Sequence, residues 1–245
     1  MELYIQEEQI SEHLQKRLER FRADYPVADE VKRRVSKPDM PFFGKEILEM
    51  AVSALLEGEN ILLCGDKATG KNILAENLAW MFGRPVYNMS FHVNTDSGSL
   101  IGSDTFVDNE VKLRKGPVYQ CAAYGGFGIL DEINMAKNDA VSVLHATLDY
   151  RRIIDVPGYD RIELHPAARF IGTMNYGYAG TKELNEALVS RFMVINMPTL
   201  TQDDLIKILD TAVPGATSAS LEQFAGLFLD LQTKAKNGER SEEHT

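Results

Sequence analysis

The stretch Ile61–Asn72, ILLCGDKATGKN, constrains this chain more than any other. Ile61-Leu62-Leu63-Cys64 is a short continuous apolar run, the pattern of a buried strand, and it stops at Gly65. Gly65, four intervening residues, Gly70 and Lys71 follow, and then Ile73, Leu74, Leu78 and Ala79 recur at helical spacing. Strand, glycine-bounded loop and helix in that order predict a phosphate site. Glycines at both ends let main-chain N–H groups turn inward, the helix N-terminus adds partial positive charge, and Lys71 supplies a full one. The candidate binding residues are Gly65, Asp66, Lys67, Ala68, Thr69, Gly70, Lys71, Asn72 and Ile73. Position 72 is where such a loop ordinarily carries a Ser or Thr hydroxyl for Mg²⁺. Asn72 offers an amide oxygen instead, a donor that a hard cation also accepts.

A second stretch, Phe127-Gly128-Ile129-Leu130-Asp131-Glu132, delivers two carboxylates to the end of another apolar run. About sixty residues after a phosphate loop, this pairing assigns Asp131 to Mg²⁺ and Glu132 to a water attacking the γ-phosphate. A third apolar run, Arg169 to Met174, ends at Asn175, an amide able to hold that water or the phosphate if the two strands are neighbours. Arg191, after a short helix over Leu184–Val189, is read as pairing with an acid of its own chain or as a finger completing a neighbour's site.

Around these motifs the chain divides. Residues 1–40 form a polar lead-in with one amphipathic helix over Ser11–Phe21 and a charged run, Lys32-Arg33-Arg34, read as a solvated face. Residues 41–199 form the nucleotide-binding core, and 200–239 begin a helical domain: Asp203–Leu209 behind a Thr201 cap, then Leu221–Lys234. The glycine-rich segment 92–126 reads as an elaboration on the core. It holds a hairpin, Thr105–Val107 against Val111–Leu113, turned by Asp108-Asn109. A helix is expected over Ala140–Leu148, and a second hairpin over 152–164 around Pro157-Gly158. Residues 240–245 match what a translated sequencing adapter would give and are set aside as an expected artefact, with a disordered polar C-terminus as the alternative; on the first reading the helical domain is expected to be cut short.

The formal charge of −10 argues against non-specific binding to nucleic acid or anionic membrane. No apolar run approaches the length of a membrane span, and MELYIQEEQI lacks the build of a signal peptide, so the cytoplasm is the expected compartment. Cys64 and Cys121 read as core thiols, and the five histidines form no ligand motif.

Set together, GDKATGKN, GFGILDE, the strand ending GTMN and GTKELNEALVSRF resemble an AAA+ ATPase of the MoxR-like branch. That is the CbbQ/NorQ type within the dynein-related AAA group, and the likeness extends over roughly residues 40–235. The resemblance implies a P-loop NTPase α/β three-layer sandwich with a central parallel sheet, inserted hairpins and a helical lid. It also implies that Gly65, Gly70 and Lys71 act as Walker A, Asp131 and Glu132 as Walker B, Asn175 as sensor 1, and Arg191 as the finger. ATP with Mg²⁺, a hexameric ring, chaperone-like action on a protein client and a partner bearing a von Willebrand factor A domain follow from it as expectations. Asn72, and Asp66-Lys67 where the branch usually has Pro-Pro, depart from the pattern. Two other functions compete. One is a nucleotide-gated structural subunit without turnover, for which Asn72 argues. The other is a nucleic-acid-stimulated NTPase using Lys112, Arg114, Lys115, Arg151, Arg152 and Arg161 as a basic lining.

Overall fold

The structure, a computed structural model, describes residues 10–136, 138–156, 158–175 and 184–242. The chain falls into two units, Met1–Met197 and Pro198–Thr245. In the first unit, helices α1 (Glu12–Asp24) and α2 (Lys45–Leu56) precede strand β1 (Ile61–Cys64), helix α3 (Lys71–Met81) and strand β2 (Val86–Ser90). A short helix α4 (Ser97–Ile101), the ribbon β3 (Gly102–Val107) and β4 (Glu110–Lys115), and helix α5 (Pro117–Tyr124) follow. Then come β5 (Phe127–Asp131), α6 (Asn138–Ser142), α7 (His145–Leu148), the short strands β6 (Ile153–Ile154) and β7 (Ile162–Glu163), β8 (Arg169–Met174), α8 (Glu186–Val189) and β9 (Met193–Asn196). The second unit holds α9 (Gln202–Ala212) and α10 (Ser218–Glu242).

The main sheet has the order β2-β5-β8-β1-β9, and every pairing in it is parallel. β1 is buried along its length and β5 and β8 nearly so, which explains why their sequences are mostly apolar and do not alternate, although β8 also buries Arg169 and Thr173. Parallel strands end on one edge, so Cys64, Asp131 and Met174 bring their following residues to the same side. One hydrophobic core, with Leu48, Leu55, Leu74, Leu78 and Phe82, packs one face of the sheet. Leu14, Leu18 and Phe21 of α1 join it, so the lead-in is a packing arm. A second core gathers Leu62, Val118, Leu130, Leu144 and Phe170.

Several sequence expectations are corrected. Helices α4 and α5 are not an elaboration: Leu100, Ile101, Val118, Cys121 and Ala122 are buried in the second core, and the β3–β4 ribbon is mostly exposed, with Leu113 packed against that core. The ribbon turn is as expected, with Asp108 (φ 53°) and Asn109 (φ 63°) both left-handed, the geometry that matches strand twist. The helix expected over Ala140–Leu148 is two short helices. The chain tightens between them, Leu144 N–H donating to Val141 O at 3.0 Å, and Val141, Leu144 and Leu148 thereby reach one core. Among the described residues the 152–164 hairpin pairs Ile153–Ile154 with Ile162–Glu163, and the Leu164 N–H donates to Arg152 O at 2.9 Å; Pro157 lies outside the described residues. In the second unit Thr201 caps α9 through a reciprocal box with Asp204. Helix α10 continues to Glu242, into the segment set aside above, whose last three residues lie outside the described ones. Among the described residues no helix is long and apolar enough to cross a membrane.

Candidate nucleotide site

The glycine-bounded loop leaves β1 at the sheet edge, Gly65 N–H donating to Met174 O at 3.3 Å, and enters α3 at Lys71. Its sharp turns are taken by Ala68 (φ 61°) and Gly70 (φ 83°), both left-handed. Lys71 is buried, and its Nζ donates to Gly65 O at 3.0 Å, Asp66 O at 2.6 Å and Thr69 Oγ1 at 3.4 Å. Thr69 Oγ1 in turn donates to Asp66 O at 3.0 Å. Burial pushes the Lys71 ammonium below its ordinary value, partly offset by Asp66 and more weakly by Asp131 and Glu132. Strand order and register bring the loop after β1 and the carboxylates at the end of β5 to the same sheet edge. Asn72 is exposed on the first turn of α3, Lys67 and Ala68 are exposed on the loop, and Ile73 packs against the first core.

Strands β5 and β8 are neighbours, as the Asn175 reading requires. Asn175 Nδ2 donates to Glu132 Oε1 at 3.3 Å, so the third motif meets the second directly. Two further residues that the sequence did not single out touch these candidates. Thr173, buried in β8, donates from Oγ1 to Asp131 Oδ1 at 2.6 Å and accepts the Glu132 N–H at 3.1 Å. Asn134, buried just after Glu132, donates from Nδ2 to Asn175 O at 3.1 Å. The available signal was a polar residue inside an apolar strand for Thr173; a lone Asn after a strand end carries none.

Arg191 stands at the end of α8, whose cap is Asn185. Its guanidinium donates to the carbonyls of His145 (3.1 Å) and Ala187 and lies 3.6 Å from Asp149 Oδ2. Of the two roles read for it, the structure shows the pairing within its own chain; none of these bonds reaches the loop or the strand-end carboxylates. Arg151 also grips Asp149, at 2.7 Å, and its hydrogen bonds are the main reason the Asp149 carboxyl falls to about 2. The proposed basic lining is largely engaged elsewhere: Arg152 donates to the His165 and Ala168 carbonyls, and Lys112 lies near Asp108 and Glu110. The residues preceding Leu184 in GTKELNEALVSRF lie outside the described ones.

A magnesium ion fits this donor set. Asp131 and Asn72 are hard oxygen donors, one at the end of β5 and the other on the helix that follows β1, and those two strands end at the same sheet edge. That composition suits a cation that keeps waters and takes phosphate oxygens.

Residues 60–192 match the family model described as AAA domain (dynein-related subfamily). The uncharacterized protein YojN of Bacillus subtilis is 31% identical over 240 residues, 96% of this chain and 78% of that protein. The uncharacterized protein SH1500 of Staphylococcus haemolyticus is 35% identical over 191 residues, 76% of this chain and 73% of that protein. The crystal structure of a candidate ATPase from Cytophaga hutchinsonii superposes with a TM-score of 0.59 at 19% identity over 80% of this chain. The chain spans 55% of that solved chain, and at this identity the likeness concerns the fold.

Proposed function

This chain belongs to the AAA domain family, dynein-related subfamily, and from that premise we propose that it is an ATP-hydrolysing ring subunit, MoxR-like in type, that remodels a protein partner. The observation that carries the reading is the meeting of three motifs at one sheet edge: the Lys71 loop, the Asp131–Glu132 pair, and Asn175 at 3.3 Å from Glu132. Loop N–H groups and Lys71 hold the phosphates, Lys71 exchanging the loop carbonyls for phosphate oxygens. Asn72 and Asp131 would hold Mg²⁺, which when bound neutralises charge on the β- and γ-phosphates. Glu132 takes the proton of the attacking water, and Asn175 orients either that water or Glu132 itself. Arg191 is offered to a neighbouring subunit after leaving Asp149. A hexamer, a protein client, a partner with a von Willebrand factor A domain and a cytoplasmic location belong to this same proposal. The acidic balance of −10 favours a protein client over nucleic acid.

The second reading, a nucleotide-gated scaffold, is favoured by Asn72 alone. Steady-state ATP turnover by the full chain beside Lys71→Ala and Glu132→Gln decides between them. Turnover abolished by both changes, with ATP binding kept in Glu132→Gln, supports the hydrolytic reading. Tight ATP binding without turnover in the unmutated protein supports the scaffold.

A further inference from the structure

β8 buries two polar residues, Arg169 at its start and Thr173 near its end, and packing does not explain the hydroxyl of the second. The strand lies between β5 and β1, and positions buried like this are ordinarily filled by Val, Ile or Leu. Valine would occupy the same volume, yet the chain keeps a hydroxyl at a position only 1% exposed. That hydroxyl is used twice, donating to Asp131 Oδ1 at 2.6 Å and accepting the Glu132 N–H at 3.1 Å. Register puts it there: Leu130 pairs with Gly172 and Leu63 with Thr173, so Thr173 sits beside the end of β5.

The consequence lies in how two consecutive residues serve one site. Strand alternation would send Asp131 and Glu132 to opposite faces. Glu132 instead adopts φ 54°, ψ 44°, a left-handed conformation that a residue with a Cβ enters only at a cost in strain. With its N–H held by Thr173, Glu132 turns so that Oε1 meets the Asn175 amide. The same hydroxyl fixes Asp131 by one oxygen, and Oδ2 has no protein partner among the described residues.

We infer that Thr173 is the positioning residue of the hydrolytic site, setting the rotamer of Asp131 and, through the main chain, the direction of Glu132. The inference rests on the roles proposed above for those two carboxylates, and Thr173 acts only through them. Thr173→Val keeps the volume and removes both bonds, whereas Thr173→Ser keeps both and removes a methyl. For each, kcat and KM for ATP, ATP affinity with Mg²⁺ and in EDTA, and the thermal midpoint are measured on the full chain. Hydrogen bonds to charged groups are worth about 10- to 100-fold, so Thr173→Val should lower kcat by about that factor with KM little changed. It should also shrink the gain in ATP affinity that Mg²⁺ confers, while leaving the affinity in EDTA and the midpoint near those of the unmutated protein. Thr173→Ser should restore kcat to within about threefold, since a serine hydroxyl has the same donor and acceptor capacity. Thr173→Ala takes the place of Thr173→Val if the isostere does not fold.

An unchanged kcat and Mg²⁺ gain in the hydroxyl-less variant would overturn the inference. So would a serine variant as impaired as the valine one, which would make the methyl packing decisive. If the unmutated protein turns over no ATP, the hydrolytic reading falls by itself. The Mg²⁺ gain in ATP affinity then decides whether Thr173 positions Asp131.

Discussion

Lys71→Met separates the two tasks of the loop lysine. In the structure Nζ makes two short bonds to loop carbonyls, 2.6 and 3.0 Å, in a buried setting that disfavours its charge. Removing two such bonds costs about 2 kcal/mol net, and relief from burying an ammonium offsets much of it. The variant's melting temperature without nucleotide should therefore lie within about 4 °C of the unmutated protein's. Nucleotide then discriminates. An ammonium about 4 Å from a phosphate charge gains about 4 kcal/mol at an effective dielectric of 20. With a third of that offset by desolvation, losing the contact weakens ATP about 100-fold. At ATP a hundredfold above the wild-type Kd, binding adds about 2.7 kcal/mol to the unmutated protein, a rise of about 5–10 °C. At the same concentration the variant gains only about 0.4 kcal/mol. Scanning fluorimetry with and without ATP reads both quantities. A variant that keeps the full ATP-induced rise would refute the phosphate role of Lys71, and one that melts about 10 °C lower without ATP would make the lysine a structural strut of the loop.

Arg84 is 1% exposed and donates to Gly125 O (2.7 Å), Tyr25 O (2.5 Å) and Tyr124 O (3.1 Å), so Arg84→Met orphans three carbonyls where the lead-in meets the core. Urea unfolding should show a loss of about 2–4 kcal/mol, and a loss under about 1 kcal/mol would contradict this account. Burial, reinforced by Arg84 and Arg152, holds the His165 imidazole below its ordinary value, so the unfolded chain binds that proton more tightly than the folded one. Stability from neutral His165 is full above the unfolded value and falls as pH drops through about 6.5. The melting temperature should decline in that window, and His165→Asn, which keeps an acceptor for the Ala167 N–H, should reduce the slope. Arg191→Ala should lower turnover by about 10³-fold or more without weakening ATP binding. Mixing it with inactive Lys71→Ala subunits should restore part of the rate if the finger acts on a neighbour, and no recovery would leave Arg191 to its own-chain partner Asp149.

Much of the site was legible because its parts are local. A buried strand, two glycines and a lysine before a helix require only neighbours in sequence, and Ile61–Asn72 folds accordingly. The same holds for β5, β8, the Asp108-Asn109 turn and the Thr201 cap, where each signal lies within a few residues of what it directs. What the sequence could not reveal depends on which strands adjoin. Strand order puts β8 beside β5, and only that adjacency lets Asn175 reach Glu132 and Thr173 reach Asp131 and the Glu132 N–H. Packing likewise drew α5 into the second core, broke the helix expected over Ala140–Leu148, and buried Arg84 against carbonyls about forty or more residues away in sequence. The sequence by itself determined which chemical groups this protein carries and on which short elements. Tertiary structure decided which of them act together, because a hydrogen bond across a sheet is set by strand adjacency and register, and no periodicity within a single strand encodes either.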